Sequence, residues 1–226
     1  MLDRRRSAIA LDPSSPSRDP RRRVLDEFVR TVARVGYEGA TVEGILVRAK
    51  VPEPVFYEHF EGLRDCMLAA LDEQLSWIEN AVASYAARSA VWSERVRLGL
   101  LALLETLACD PAGTRLALVE CLAAGEPAVA RLDRAVAGCV PALEQGLTCP
   151  EGAGIDTEHL PPQISEAIAG GIASILHRRA LEDNTDELPD LLPDLQYFAL
   201  MPYLGHERAL AISRCRAPAG TDSSCR

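Results

Sequence analysis

This 226-residue sequence lacks several things, and each absence removes a class of function. No run of eighteen apolar residues occurs; the longest candidate, around Leu98 to Leu107, is broken by Glu105. A membrane span is therefore not expected. Arg4, Arg5 and Arg6 stand near the N-terminus, but no apolar stretch comes after them. That argues against an export signal and reads as a cytoplasmic chain. The seven cysteines (Cys66, Cys109, Cys121, Cys139, Cys149, Cys215, Cys225) form no CxxC, and no Cys/His pair has zinc-ligand spacing. No metal site is expected, and the odd count in an unexported chain favours reduced thiols. The four histidines (His59, His159, His177, His206) are scattered, and HExxH, GxSxG, a Walker loop and a paired DxxD arrangement are all missing. Neither enzymatic chemistry nor a cofactor is expected. Nothing reads as a strand, and no internal repeat is visible.

What is present suits a folded, helical chain. Hydrophobic residues make up 48% and charged residues 25%, which permits a sizeable buried core. Net charge is −9, unevenly spread: residues 1–66 carry twelve basic and eleven acidic side chains, and residues 67–226 carry twelve and twenty-two. The first 23 residues alone hold seven Arg and three Asp. Acidity belongs to the C-terminal part, and the N-terminal part can still approach phosphate.

Residues 1–20, with Pro13, Pro16 and Pro20, read as a flexible basic arm. From Arg21 the pattern turns helical, with Val24, Leu25, Phe28, Val29 and Val32 on one face and Gly36 as a stop. Thr41 suits an N-cap for a short helix carrying Val42, Ile45, Leu46 and Ala49. A tight connection at Lys50–Val51–Pro52 leads to a third short helix, Pro54 to Phe60. A longer fourth begins near Gly62, with Met67, Ala70, Leu71, Leu75 and Ile78 as its stripe. Further helices fit residues 91–109, 112–124, 126–147, 162–183 and 188–203, and residues 214–226 read as a disordered tail. The fold class is all-α: a helix-turn-helix domain over 21–66 (motif 41–60), then a helical domain over 67–213.

Two short helices joined by a tight turn, with longer helices before and after, form a helix-turn-helix. In such a motif the second short helix offers its outer face to a major groove about 12 Å wide. Val51, Val55, Phe56 and Phe60 supply apolar contacts between the helices, which leaves Glu53, Tyr57, Glu58 and His59 for the outer face. The stretch ATVEGILVRAKVPEPVFYEHFEGLRDCMLAALDE resembles the signature of the TetR family of transcriptional regulators, with Gly36, Tyr37, Ala40, Thr41, Ala49, Val51, Phe56, Tyr57 and Phe60 in register. The segment LPDLLPDLQYFALMPYLG resembles the last helix in some branches of that family.

The resemblance implies a dimeric repressor that binds a double-stranded DNA operator and leaves it when a small apolar or aromatic effector binds. It implies that Thr41 caps the second helix and touches a phosphate, that Val55 faces the bases, and that Tyr57 and His59 bond phosphates. Arg64 would clamp the backbone, and Arg48 and Lys50 would add phosphate charge. The basic arm has two open readings, along the minor groove or as a solvated tail. Three departures stand out. Lys50 occupies a turn position that is usually Gly, Pro52 cannot cap through its side chain, and Glu53 and Glu58 place negative charge on the outer face. Glu53 suits a helix N-terminus and can accept from cytosine N4, yet near phosphate it repels. A degenerate regulator, or an interaction module with weak or lost DNA binding, is the alternative.

In the helical domain, Ile168, Gly171, Ile172 and Ile175 make one stripe and Leu191, Leu195 and Phe198 another. They suit a homodimer seam of two helices per subunit, or an intramolecular core. Trp92, Leu100, Leu104, Glu105, Glu120, Cys121 and His177 are candidates for an effector-binding wall. Each has a plainer reading: the leucines and Cys121 as core, the carboxylates as surface, and His177 as the neighbour of exposed arginines.

Overall fold

Asp19 opens the first helix. Its side chain accepts from the Arg21 backbone N–H at 3.0 Å, and Pro20 sits in the first turn of α1 (Pro20–Val35). This is a computed structural model, and it describes residues 19–152 and 160–214. Residues 1–18 of the expected 1–20 arm and residues 215–226 of the expected 214–226 tail lie outside the described residues, while Pro20 and Arg214 are already helical. Val24, Leu25, Phe28 and Val32 bury one face of α1. Gly36 ends it at φ 77°, its amide bonding Val32 O at 2.9 Å. A residue with a Cβ adopts that conformation only with strain.

Thr41 caps α2 (Val42–Ala49) by accepting from Gly44 N at 3.1 Å. After the turn come α3 (Glu53–Tyr57) and the 24-residue α4 (Leu63–Ala86). α1 packs on both α2 and α3, and Phe28, Ile45 and Phe56 are all 0% exposed. Burying each such side chain contributes roughly 1.5–3 kcal/mol. α4 runs unbroken through position 66, so no linker marks the domain boundary expected there.

The described residues form two compact units. The first ends at Ser76 within α4 and also takes in Ala112–Leu132. That later segment holds most of α6 (Pro111–Leu118), a 3-10 turn (Glu120–Leu122) and the start of α7 (Glu126–Ala137). Leu116, Ala117, Cys121 and Ala128 are fully buried there, and Arg131 Nε bonds Asp72 Oδ1 at 2.7 Å.

The second unit holds Trp77–Pro111 and the chain from Asp133 onward. It contains α5 (Trp92–Cys109), α8 (Val140–Glu144), α9 (Ile164–Leu181), α10 (Leu192–Leu204) and α11 (His206–Arg214). α10 packs against α5, α9 and α11. Its buried centre is Tyr203, whose hydroxyl pairs with Ser165 Oγ at 2.7 Å. Trp92 Nε1 donates to Ala142 O at 2.9 Å, and Glu151 accepts from Ser93 N at 2.9 Å. That carboxylate serves the first turn of α5, where the N-cap residue Val91 offers no side-chain acceptor.

The helices depart from the sequence pattern at four places. The single helix expected over 126–147 breaks after Ala137, because Gly138 is a poor helix former and Pro141 removes a backbone donor. The helix expected over 112–124 ends at Leu118 and gives way to a 3-10 turn. The helix expected over 188–203 starts as a 3-10 turn, Leu188–Leu191, before α10 begins with Pro193 in its first turn. Gly205, at φ 75°, then turns the chain into α11, for which the pattern gave no helix.

Candidate nucleic-acid interface and effector site

The turn between α2 and α3 is built on Lys50, which adopts the left-handed conformation at φ 53° and ψ 47°. A side chain there costs roughly 1–2 kcal/mol. The strain is held by the amide of Val51, which bonds Leu46 O at 3.2 Å, and by burial of Val51. Pro52 stands at the N-cap of α3 with no side-chain bond, as its chemistry requires.

α3 and the turn after it, residues 58–60, have two distinct faces, the helix ending at Tyr57 and not at the expected Phe60. Phe56 and Phe60 are buried, with ring centroids 5.6 Å apart, and Val55 is half-buried. Glu53, Pro54, Tyr57, Glu58 and His59 are exposed, and Tyr57 leans edge-on against Phe56. Thr41, Arg48, Lys50 and Arg64 are exposed as well. The candidate contacts are therefore all exposed apart from Val55, which is half-buried.

Its electrostatics are unusual for a phosphate-binding face. Residues 41–64 hold three cations (Arg48, Lys50, Arg64) and four carboxylates (Glu43, Glu53, Glu58, Glu61), and the carboxylates are all exposed. Arg48 is drawn back toward α1, with Nη1 3.5 Å from Thr31 Oγ1 and 3.9 Å from Glu27. At the start of α1, Arg21 and Arg22 bind Glu73 at 3.0 and 2.8 Å, and the Arg21 guanidinium stands 5.6 Å from the centroid of the Phe60 ring. An open concavity of about 710 Å³ lies beside the turn, lined by Val42, Leu46, Val47, Lys50, Pro52 and Glu53 among others. It belongs to the helix-turn-helix and not to the region where an effector was expected.

The expected effector wall is divided between the two units. Trp92, Leu100 and Leu104 are buried in the second unit, and the Trp92 N–H already donates to Ala142 O. Glu105 and His177 are half-buried, and burial pushes the Glu105 carboxyl above its ordinary range against a smaller opposing pull from Arg88. Glu120 and Cys121 belong to the first unit. Glu120 is not a free wall group, because Tyr37 N and Arg115 Nε bind its two oxygens at 2.9 and 3.2 Å. Cys121 is 0% exposed, with its sulfur 2.9 Å from Ala117 O.

Sequence patterning missed the buried hydroxyl of Thr106 on α5 and the Gln196 amide nitrogen on α10, both without a hydrogen-bond partner. Both lie within apolar stripes, so periodicity reads them as incidental. Among the described residues no group of three or more His, Cys, Asp or Glu is placed to hold a metal ion. No described helix is long and apolar enough to cross a membrane. The five described cysteines form no disulfide with one another.

Of the expected dimer seam, Ile168, Ile172 and Leu195 are buried within the single chain. Gly171, Ile175 and Leu191 are half-buried, and Phe198 is exposed. A Cβ on Gly171 would stand 3.2 Å from the Phe198 ring, so α9 and α10 meet closely there. Ala167, Gly170 and Ser174 on α9 are also open to solvent, as is Met201 on α10.

No protein-family model matches the sequence, and no curated protein matches it. Solved structures do match. The fatty acid degradation regulator FadR from Bacillus halodurans superposes with a TM-score of 0.69 at 16% identity, over 82% of this chain and 97% of that one. A regulatory protein of the tetR family from Rhodococcus RHA1 gives 0.67 at 15%, over 83% and 98%. The transcriptional regulator FadR from Bacillus subtilis, solved with stearoyl-CoA, gives 0.63 at 19%, over 81% and 98%.

The chain has the TetR-family regulator fold. The TetR fold is all-helical, as the hydrophobic periodicity indicated.

Proposed function

We propose that the chain is a dimeric DNA-binding transcriptional regulator of the TetR family, a repressor released from its operator by a small apolar or aromatic effector. The observation that carries this reading is the division of α3. Phe56 and Phe60 anchor it, while Glu53, Tyr57, Glu58 and His59 stand free on the side a groove would meet. Thr41, Lys50 and Arg64, exposed around it, supply phosphate contacts, and Val55 reaches the groove from the edge of the buried face. Two such heads must meet half-sites about one helical turn apart. The open small residues of α9, together with Phe198 and Met201 on α10, support a homodimer seam there.

For the effector, we infer an apolar molecule bearing a polar group, taken up by the second unit. Trp92, Leu100, Leu104, Glu105 and His177 remain its candidate contacts. A polar group that reached Thr106 or Gln196 would satisfy a buried atom whose isolation costs roughly 1–3 kcal/mol. Long-chain acyl-CoA, larger and anionic, is a second class to try, since one structure of this fold holds stearoyl-CoA. Effector and operator oppose each other by biasing two dimer shapes, with a coupling of typically about 1–3 kcal/mol.

The test is fluorescence anisotropy of the purified protein on its own upstream intergenic DNA across a salt series. Saturable binding to a palindrome, weakening as salt rises, is the expected result. No binding at low salt would transfer the weight to an interaction module without DNA binding, a reading that the exposed Glu53 and Glu58 already favour.

A further inference from the structure

Glu120 lies 83 residues from Tyr37 in sequence, yet the two are joined. Its side chain is nearly buried, at 8% exposed for the residue. Oε2 accepts the backbone N–H of Tyr37 at 2.9 Å, while Oε1 accepts from Arg115 Nε at 3.2 Å. Gly36 packs beneath the same carboxylate, since a Cβ there would stand 3.4 Å from Oε2. The Tyr37 amide falls just past the end of α1, where no helical carbonyl receives it. A carboxylate accepting a backbone N–H makes a strong, charge-assisted bond.

That turn sets where α2 departs, and α2 carries the Lys50 turn and α3. The segment bearing Glu120 is an excursion of the chain: it comes from the second unit at Pro111 and returns to it at Asp133. The α1–α2 turn of the helix-turn-helix is therefore fastened by a side chain whose backbone is continuous with the second unit at both ends.

We propose that Glu120 is a positioning residue for DNA binding: its carboxylate fixes the α1–α2 turn, so the 112–132 segment sets operator affinity without touching DNA. This rests on the DNA-binding reading above. The test compares the full-length wild type with Glu120→Ala and Glu120→Gln. The Gln variant keeps a carbonyl acceptor for Tyr37 N–H but drops the charge facing Arg115.

Amide hydrogen exchange is read over residues 36–40 and, as reference, over the buried part of α4 around Met67 and Leu71. Operator affinity is read by anisotropy on the upstream fragment. In Glu120→Ala, exchange over 36–40 rises at least about tenfold, exchange in α4 does not change, and operator affinity falls about tenfold. Glu120→Gln recovers most of both. Unchanged exchange over 36–40 in the Ala variant overturns the proposal. So does a uniform rise through α4, which marks a merely structural role. If the wild type binds no DNA, the regulator reading fails by itself, and the exchange comparison still decides whether Glu120 holds the turn.

Discussion

The ring of Tyr203 stands edge-on to that of Trp92, with centroids 5.2 Å apart and planes at 75°, and Gly146 fills the corner between them. A Cβ at position 146 would lie 2.5 Å from Trp92 Cζ2 and 2.8 Å from Tyr203 Cγ. Neither ring can bend away, so Gly146→Ala forces the α5–α10 contact apart. Overpacking of this kind costs about 1–3 kcal/mol, which lowers the melting temperature by roughly 2–4 °C per kcal/mol in a chain of this size. Gly99→Ala, inside α5, is the control, because its added Cβ would meet only Val82 Cγ1 at 3.6 Å, an ordinary contact. It should melt at or above the wild-type temperature, from better helix propensity. Equal melting of the two variants would contradict the packing described.

The contrast between these glycines shows where sequence reading succeeds and where it stops. Thr41, Gly36 and the Lys50–Pro52 turn were legible because caps and turns are local: each rests on one residue's backbone preference and its near neighbours. The split of α3 into Phe56/Phe60 and Glu53/Tyr57/Glu58/His59 was legible because helical period and hydrophobicity agree. Tyr203 and Glu120 were not. Their partners lie 111 residues away at Trp92 (203 minus 92) and 83 residues away at Tyr37. Only tertiary packing brings them together. Gly138 and Pro141 did carry a helix-break signal inside 126–147, but the surrounding apolar pattern outweighed it.

Lys50 carries a steric penalty that glycine would avoid. Lys50→Gly should relieve the left-handed strain and gain up to about 1 kcal/mol in stability, after the extra unfolded-state entropy of glycine is deducted. If Lys50 contacts phosphate, the same variant should weaken operator binding and reduce its salt dependence by about one counterion per subunit. Thermal melting and a salt titration together check both. A variant less stable than wild type would mean that the Lys50 side chain supports the turn.

Thiol reactivity should follow burial. Cys66 is fully buried, and burial, reinforced by Asp65, pushes its thiol up to about 12. Cys121 is likewise 0% exposed, whereas Cys109 is exposed. Treating native protein at pH 8 with a maleimide, with peptide mass analysis afterwards, should label Cys109 and spare Cys66 and Cys121 until denaturant is added. Rapid native labelling of Cys66 would show that the start of α4 opens readily.

Glu105 makes stability depend on pH in a direction that can be worked out. Burial raises its carboxyl above the ordinary value, so the folded chain holds that proton more tightly than the unfolded chain. The group's contribution is fully present below the unfolded value and is lost as pH rises through the folded one. Glu105→Gln, which stays neutral, should therefore match the wild type at pH 4 or below and melt higher at pH 7. Parallel melting curves at the two pH values would remove burial as the cause.

Glu53 and Glu58 decide how this helix-turn-helix meets DNA. Both stand exposed, Glu53 on α3 and Glu58 at its C-cap, and the cations nearest in sequence are few: Lys50 and Arg64 are exposed, while Arg48 leans toward Glu27. A carboxylate about 4 Å from a phosphate in water is repelled by about 1 kcal/mol. Replacing both with Gln should thus strengthen non-specific DNA binding about tenfold or more, and steepen nothing in the salt slope, because no cation is added. Specific binding divides by role. If Glu53 accepts from cytosine N4, Glu53→Gln loses preference at one operator position by about 1–3 kcal/mol even as overall affinity rises. Anisotropy titrations on the operator, on single-base variants and on unrelated duplex DNA separate these outcomes. A double variant that binds neither operator nor unrelated DNA better than wild type would show that α3 does not approach the phosphates, and the DNA-binding reading would fall with it.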